Sequence, residues 1–208
     1  MYKTIGVLGD SIANGYWDTE GKGGWFGRLA QKLALVNPLG WGFHNMSMDG
    51  DRISDIYHRF IFECLSRDID ILFIAVGTND TVRSPKPDSN MDISEHLRTE
   101  YWNKLLELAK KNVKNIIVLD VLPVREEMFP TKGWFNAKIY EFNKDKQEYN
   151  NLLRKLCKAK KVPFLELYGN MKKLDLSKYY QDSSHPNAKG HQLIADEIYK
   201  FLKAKKLV

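Results

Sequence analysis

The segment Thr4-Ile5-Gly6-Val7-Leu8-Gly9-Asp10-Ser11 is a short apolar run that ends in a glycine and two polar residues. It predicts a buried strand that leaves a sheet into a loop, because strands covered on both faces carry nearly continuous apolar residues. Three more runs of this kind and one weaker run follow along the chain: residues 69–76, 115–122 and 162–167, and the weaker 42–48. We therefore expect about five strands.

Helical patterns alternate with these strands. They cover residues 25–35, 53–65, 93–112, 137–159 and 189–202. Right-handed crossovers between alternating strands and helices give a mainly parallel sheet. The predicted fold class is therefore α/β, with a doubly wound, mainly parallel five-stranded sheet and helices on both faces. Two irregular stretches, residues 81–92 and 123–136, follow strands at the edge where such folds place their sites, and are candidate pocket walls.

The composition sets limits on the class of protein. A chain of 208 residues, 43% hydrophobic and 28% charged, suits one domain covering residues 1–208 and excludes a disordered chain. No apolar run approaches the ~20 residues that cross a bilayer. A motif begins within ten residues of Met1, which leaves no room for a secretion signal, so we expect a cytoplasmic protein. Cys64 and Cys157 are expected to be reduced core residues.

The net charge of +6 comes partly from lysines near the end of the sequence, which are Lys200, Lys203, Lys205 and Lys206. No basic patch interleaved with aromatic residues accompanies them, so they predict a solvated face rather than a nucleic-acid site. We also expect no metal site, because His44, His58, His96 and His191 lack ligand spacing with Cys, Asp or Glu.

A serine at the carboxyl end of the first strand would project from the edge of the sheet. Its hydroxyl is a poor nucleophile unless a base removes the proton and donors stabilise the oxyanion. Asp182-Ser183-Ser184-His185 places an acid and a histidine in one loop before the last helix. In such a loop the carboxylate can accept from one ring nitrogen while the other faces the nucleophile. Ser11, His185 and Asp182 are thus candidate nucleophile, base and orienting acid.

Four separated blocks carry a family resemblance. They are Gly9-Asp10-Ser11-Ile12, Asn45-Met46-Ser47-Met48-Asp49-Gly50, Gly77-Thr78-Asn79-Asp80 and Asp182-Ser183-Ser184-His185. In this order they resemble the SGNH/GDSL hydrolases, over nearly the entire chain. The resemblance implies a flavodoxin-like three-layer sandwich, a Ser11–His185–Asp182 triad, no cofactor, and an oxyanion hole formed by the N–H groups of Ser11 and Gly50 and the amide of Asn79. Ser47 and Ile12 depart from the usual glycine and leucine, which bears on the substrate subgroup.

The resemblance also implies the class of substrate and partner, which is a small-molecule acyl ester or thioester cleaved through an acyl-enzyme. Acetylated carbohydrates, short aliphatic esters, acyl-CoA and lysophospholipids all remain open. Two other activities remain as alternatives. One is acyl transfer to an alcohol on the same triad. The other is non-catalytic binding of a nucleotide or flavin, although the loop of residues 9–15, with Asp10 in it, is poorly suited to an anion.

Several residues also have a purely structural interpretation. Ser11 could be a turn residue, and Asn79 and Asp80 could form an Asx turn or a helix cap, which we favour for Asp80. Asp10 could be a second acid, but we favour a role in shaping its loop. Four aromatic residues are candidates either for a pocket or for the core: Trp17, Trp25, Trp134 and Phe135.

Overall fold

The computed structural model describes residues 2–133 and 136–208. Its strands are β1 (Lys3–Gly9), β2 (Trp41–Asn45), β3 (Ile71–Ala75), β4 (Asn115–Leu119), β5 (Thr131–Lys132), β6 (Lys138–Ile139) and β7 (Phe164–Leu165). Five of them form one sheet in the order β2-β1-β3-β4-β7, with every pair parallel. β5 and β6 form a separate antiparallel ribbon.

The helices are α1 (Ser11–Asn14), α2 (Gly24–Val36), α3 (Ile53–Cys64), α4 (Glu95–Asn112), α5 (Asn143–Lys160), α6 (Tyr168–Met171) and α7 (Ala188–Ala204). Among these helices, none has both the length and the apolar composition that a membrane-spanning segment requires.

The sheet is buried on both faces, which explains the continuous apolar runs in the sequence. Ile71 and Phe73 of β3 pack into one half of the core with residues of α2 and α7. The alternate residues Leu72 and Ile74 pack into the other half with residues of α3, α4 and α5. Successive side chains of a strand point to opposite faces, so both sets must be apolar when helices cover both. The predicted α/β class and parallel five-stranded sheet are confirmed.

The sheet pairing continues to the residue before Ser11. The N–H of Met48 donates to Gly9 O at 3.0 Å, and the N–H of Asp10 donates to Ala75 O at 3.2 Å. A Cβ atom at Gly9 would lie 2.5 Å from Ala75 O, so only glycine allows this close approach. Ser11 therefore begins α1 directly at the carboxyl end of β1, which lies next to the central strand β3.

The predicted helix 137–159 is wrong at its start, because α5 begins only at Asn143. The preceding residues are engaged in strand-like pairing: Lys138 pairs with Lys132 across the β5–β6 ribbon, and the N–H of Tyr140 donates to Arg83 O at 2.9 Å. Trp134 and Phe135, two of the candidate pocket residues, lie outside the described residues.

The last strand is also shorter than predicted. The run 162–167 contains only β7, Phe164–Leu165, as a strand. Pro163 has no N–H to donate, and the N–H of Leu167 donates to the Asp120 carboxylate instead of a strand partner. α1 and α6, of four residues each, were not predicted as helices.

Both cysteines lie in the core, as predicted. Cys64 and Cys157 are each 1% exposed, are unpaired, and belong to the core half that contains α3, α4 and α5. Burial raises the pKa of each thiol to about 12, so neither is a reactive thiolate at neutral pH.

Candidate active site

Ser11 is the first residue of α1, and its side chain meets His185. Asp10 precedes it as the helix N-cap, and Asp10 Oδ1 accepts from the N–H of Ile12 at 3.0 Å. This cap fixes the turn from β1 into the helix. Ser11 Oγ lies 2.9 Å from His185 Nε2, although the two residues are 174 positions apart in sequence.

The loop that carries His185 is closed by its own backbone. The N–H of Gln181 donates to His185 O at 2.9 Å. Inside the loop, Asp182 Oδ1 accepts from the N–H groups of Ser184 and His185, at 2.9 and 2.8 Å. Asp182 Oδ2 lies 2.8 Å from His185 Nδ1. The carboxylate thus holds both the loop and the ring, and leaves Nε2 facing Ser11.

The electrostatics of this pair favour a proton on Nδ1 of the neutral imidazole. Burial raises the pKa of Asp182, but the hydrogen bond and charge of His185 and the two backbone donors outweigh it and lower that pKa to about 2. Burial lowers the pKa of His185, but the hydrogen bond and charge of Asp182 outweigh it, so that the net shift is upward. An ionised carboxylate on Nδ1–H leaves the Nε2 lone pair directed at the serine hydroxyl.

The three candidate oxyanion residues follow three neighbouring strands. Ser11 follows β1, Gly50 follows β2 and Asn79 follows β3, so all three lie at one edge of the sheet. Gly50 has φ 85°, a left-handed conformation that favours glycine. Asn79 Nδ2 donates to Asp51 O at 2.9 Å, which fixes the amide and leaves its second hydrogen available.

Residues 7–193 match the GDSL-like lipase/acylhydrolase family. The chain belongs to this family. The protein YpmR of Bacillus subtilis strain 168 is 23% identical over 96% of this chain and 81% of its own length.

Solved structures show the same fold. A lipase/acylhydrolase from Enterococcus faecalis has a TM-score of 0.79 at 20% identity, covering 98% of this chain and 96% of its own. A catalytic mutant of an acetylxylan esterase from Geobacillus stearothermophilus has a TM-score of 0.74 at 17% identity, covering 97% and 93%. The acetyl xylan esterase AlAXEase has a TM-score of 0.73 at 18% identity, covering 96% and 99%.

In this GDSL-like protein, Asp10 and Asp80 bind backbone. Both oxygens of Asp80 lie 3.3 Å from the N–H of Ile53 at the start of α3, a capping contact of the kind favoured from the sequence. Burial is the main cause that raises the pKa of Asp10 to about 6 and that of Asp80 to about 7. Their structural contacts agree with the preferred interpretation of both residues.

Tyr16 and Trp17 border the site of this GDSL-like protein, and the sequence motifs did not identify their contacts. The Tyr16 ring lies 4.9 Å from the His185 ring, and Trp17 Nε1 donates to Asp182 Oδ2 at 2.9 Å. Buried His191 holds this segment, because its Nδ1 accepts from the N–H of Trp25 and its Nε2 donates to Tyr16 O. Tyr16 and Trp17 are 43% and 46% exposed, so they are available to a ligand.

Trp25 belongs to the core, where it is 1% exposed. It borders a cavity of about 30 Å³ that Asp10, Thr78 and Asp120 also line. Such a cavity has room for water-sized molecules only. In residues 2–133 and 136–208, no three His, Cys, Asp or Glu side chains are grouped so that they could hold a metal ion.

Proposed function

We propose that this protein is a serine esterase that hydrolyses small acyl esters or thioesters through an acyl-enzyme, without a cofactor. The observation that carries the proposal is the 2.9 Å contact between Ser11 Oγ and His185 Nε2, with Asp182 on the other ring nitrogen. The proposed nucleophile, base and orienting acid thus form one chain of hydrogen bonds, which is the arrangement that activates a serine hydroxyl.

In the proposed reaction, Ser11 Oγ attacks the acyl carbonyl carbon while His185 Nε2 takes the hydroxyl proton. The carbonyl oxygen becomes an oxyanion that accepts from the N–H groups of Ser11 and Gly50 and from the amide of Asn79. The imidazolium, stabilised by Asp182, then protonates the leaving alcohol or thiol as its bond to carbon breaks. Water, deprotonated by His185, attacks the acyl-enzyme, and the acid and free serine are released.

We propose a short acyl group and an alcohol that contacts Tyr16 and Trp17. The leaving group receives its proton from His185, against which Tyr16 packs, so the alcohol must lie beside these two exposed rings. The acetyl xylan esterases among the structural neighbours support acetyl esters of carbohydrates as the first class to test.

The decisive experiment is a panel of p-nitrophenyl esters of increasing acyl length, assayed beside acetylated sugars and acyl-CoA thioesters. Each substrate is tested with the wild-type protein and with Ser11→Ala. We expect Ser11-dependent turnover that is highest for acetyl or similarly short groups. An added alcohol acceptor that diverts the acyl group from water would establish the transferase alternative instead. No Ser11-dependent turnover on any substrate would contradict the proposal.

A further inference from the structure

A buried ion pair lies outside all four sequence blocks. Lys146, in the second turn of α5, and Glu141, just before that helix, have side chains that are 0% and 5% exposed. Lys146 Nζ donates to Glu141 Oε2 at 2.5 Å, to Thr81 Oγ1 at 2.6 Å and to Thr78 O at 2.9 Å. An ammonium group has three protons, so these three acceptors satisfy it fully.

The lysine contacts both sides of the turn that carries Asn79. Thr78 immediately precedes Asn79, and Thr81 is the last residue of the 3₁₀ turn Asn79–Thr81. Thr81 Oγ1 also donates to Thr78 O at 2.9 Å, so the two lysine contacts and this bond close a small network. The conformation of the turn therefore depends on Lys146.

The second oxygen of the glutamate holds the loop that carries the base. Glu141 Oε1 accepts from Ser184 Oγ at 2.7 Å, and Ser184 immediately precedes His185. The N–H of Ser184 donates to Asp182 Oδ1, so Ser184 is bonded to both carboxylates. Glu141 thus contacts the loop of His185 on one side and Lys146 on the other.

We infer that Glu141 and Lys146 are positioning residues, which fix the base loop Asp182–His185 against the turn that carries Asn79. This inference rests on the proposed function. Replacing a buried ion pair by apolar residues of similar volume is often neutral or stabilising, so a gain in stability does not explain why this ion pair is present. A role in catalysis explains it, because a displacement of about 1 Å in an active site can lower the rate about 10²-fold.

The charge of Glu141 supports this role. Three carboxylates favour the imidazolium form of His185 and raise its pKa against the opposing effect of burial, namely Asp182 first, then Asp10 and Glu141. Tyr16 packs on the same ring. Neutralising Glu141 therefore removes one contribution that holds this pKa up.

The experiment compares Glu141→Gln and Ser184→Ala with a matched control, Asp145→Asn. Asp145 is also in α5, is 1% exposed, and pairs with Arg83 at 2.7 and 2.9 Å.

The readouts are kcat and KM on one soluble ester, near-UV circular dichroism as a test of folding, and the pKa of His185 by NMR. We expect kcat to fall about ten- to a hundredfold in the two site variants, with KM within about twofold. We expect the His185 pKa to fall in Glu141→Gln and to stay unchanged in Asp145→Asn.

Folded Glu141→Gln and Ser184→Ala proteins with wild-type kcat would overturn the inference. An equal loss in Asp145→Asn would also overturn it, because general loosening of α5 would then explain the effect. Should Glu141→Gln not fold, Ser184→Ala tests the connection with the ion pair intact. Should the wild-type protein show no Ser11-dependent turnover, the proposed function fails by itself. The His185 pKa in Ser184→Ala then decides the inference, because this variant keeps the charge of Glu141 and removes only its contact with the loop. A changed value supports the inference, and an unchanged value overturns it.

Discussion

The indole N–H of Trp17 donates a hydrogen bond to Oδ2 of Asp182, at 2.9 Å. The same oxygen lies 2.8 Å from Nδ1 of His185, so the imidazole of the proposed base and an exposed tryptophan share one acceptor atom. Trp17 has φ 61°, in a left-handed region that is uncommon for residues other than glycine. A half-exposed residue at the mouth of the site therefore helps to orient Asp182, the acid of the proposed triad.

Trp17→Phe keeps an aromatic ring and removes only this donor. We expect the pKa of Asp182 to rise, because the carboxylate loses one hydrogen bond that favours its charged form. We expect kcat/KM to fall about tenfold, the lower range for a hydrogen bond to a charged group. Trp41→Phe is the control, since Trp41 starts β2 at the opposite end of the sheet from Ser11. Equal kinetics in both variants would show that the Trp17 donor does not act on the triad.

Ser11→Ala removes the proposed nucleophile. Its hydroxyl is hydrogen-bonded to His185, so the change costs the fold one side-chain contact. We expect turnover to fall by about 10⁶-fold, as in enzymes that depend on a triad. Turnover is measured alongside thermal unfolding, which establishes that the variant is folded. A folded Ser11→Ala protein with wild-type turnover would make the nucleophile assignment wrong.

Asn79→Ala removes one proposed oxyanion donor. We expect kcat to fall by about 10²- to 10³-fold with little change in KM, because the donor acts on charge that develops only in the transition state. The amide also donates to Asp51 O, so a modest loss of thermal stability should accompany the change. Steady-state kinetics separate the two parameters. A variant impaired in KM alone would indicate that Asn79 binds substrate in the ground state.

The sequence predicted those parts of the site that local patterns mark. The run ending at Ser11 and the loop from Asp182 to His185 are each short in sequence, and each sets its own geometry through backbone contacts. The family resemblance identified Gly50 and Asn79, and parallel strands, which bring their carboxyl ends together, explain why both lie at the same edge as Ser11. The catalytic roles of these residues stay predictions until the kinetics above are measured.

The parts that could not be predicted depend on contacts between distant segments. Trp17 and Asp182 are 165 positions apart, and no spacing pattern connects them. Glu141 was placed inside a predicted helix, 137–159, whereas pairing of Lys138 and Tyr140 with other segments keeps residues before Asn143 out of it. Because α5 starts at Asn143, Glu141 lies outside the helix, where its side chain contacts both Lys146 and Ser184.

Asp10→Asn tests the cost of a buried carboxylate. Burial raises the pKa of Asp10 from 3.8 to about 6, so ionisation destabilises the folded state and the free energy of unfolding falls as pH rises through that interval. Asparagine can still accept from the N–H of Ile12 and has no charge. Above pH 6 we expect the free energy of unfolding of the variant to be higher than that of the wild type by up to roughly 3 kcal/mol, the equivalent of a shift of about two pKa units.

Urea unfolding at pH 4 and pH 7.5 measures this difference for both proteins. At pH 4 the wild-type carboxyl is largely protonated in the folded state, so the advantage of the variant should nearly vanish. An Asp10→Asn protein that is equally destabilised at both pH values would mean that the carboxylate contributes a needed contact rather than a buried charge.

The pH dependence of activity tests the pairing of Asp182 with His185. The base must be neutral to accept from Ser11, and its pKa lies above the ordinary 6.5, so kcat/KM should rise with pH through that raised value and then level off. Asp182→Asn removes the charge that raises the pKa and places an N–H donor against Nδ1, which favours the wrong tautomer. The rising limb should move to lower pH, and the plateau should fall by about 10⁴-fold, as in a triad protease.

The measurement is kcat/KM against pH for both proteins, on one ester that does not ionise in the range. Profiles with the same midpoint and plateau would exclude Asp182 as the orienting acid and make Asp10, whose charge also acts on His185, the next carboxylate to test.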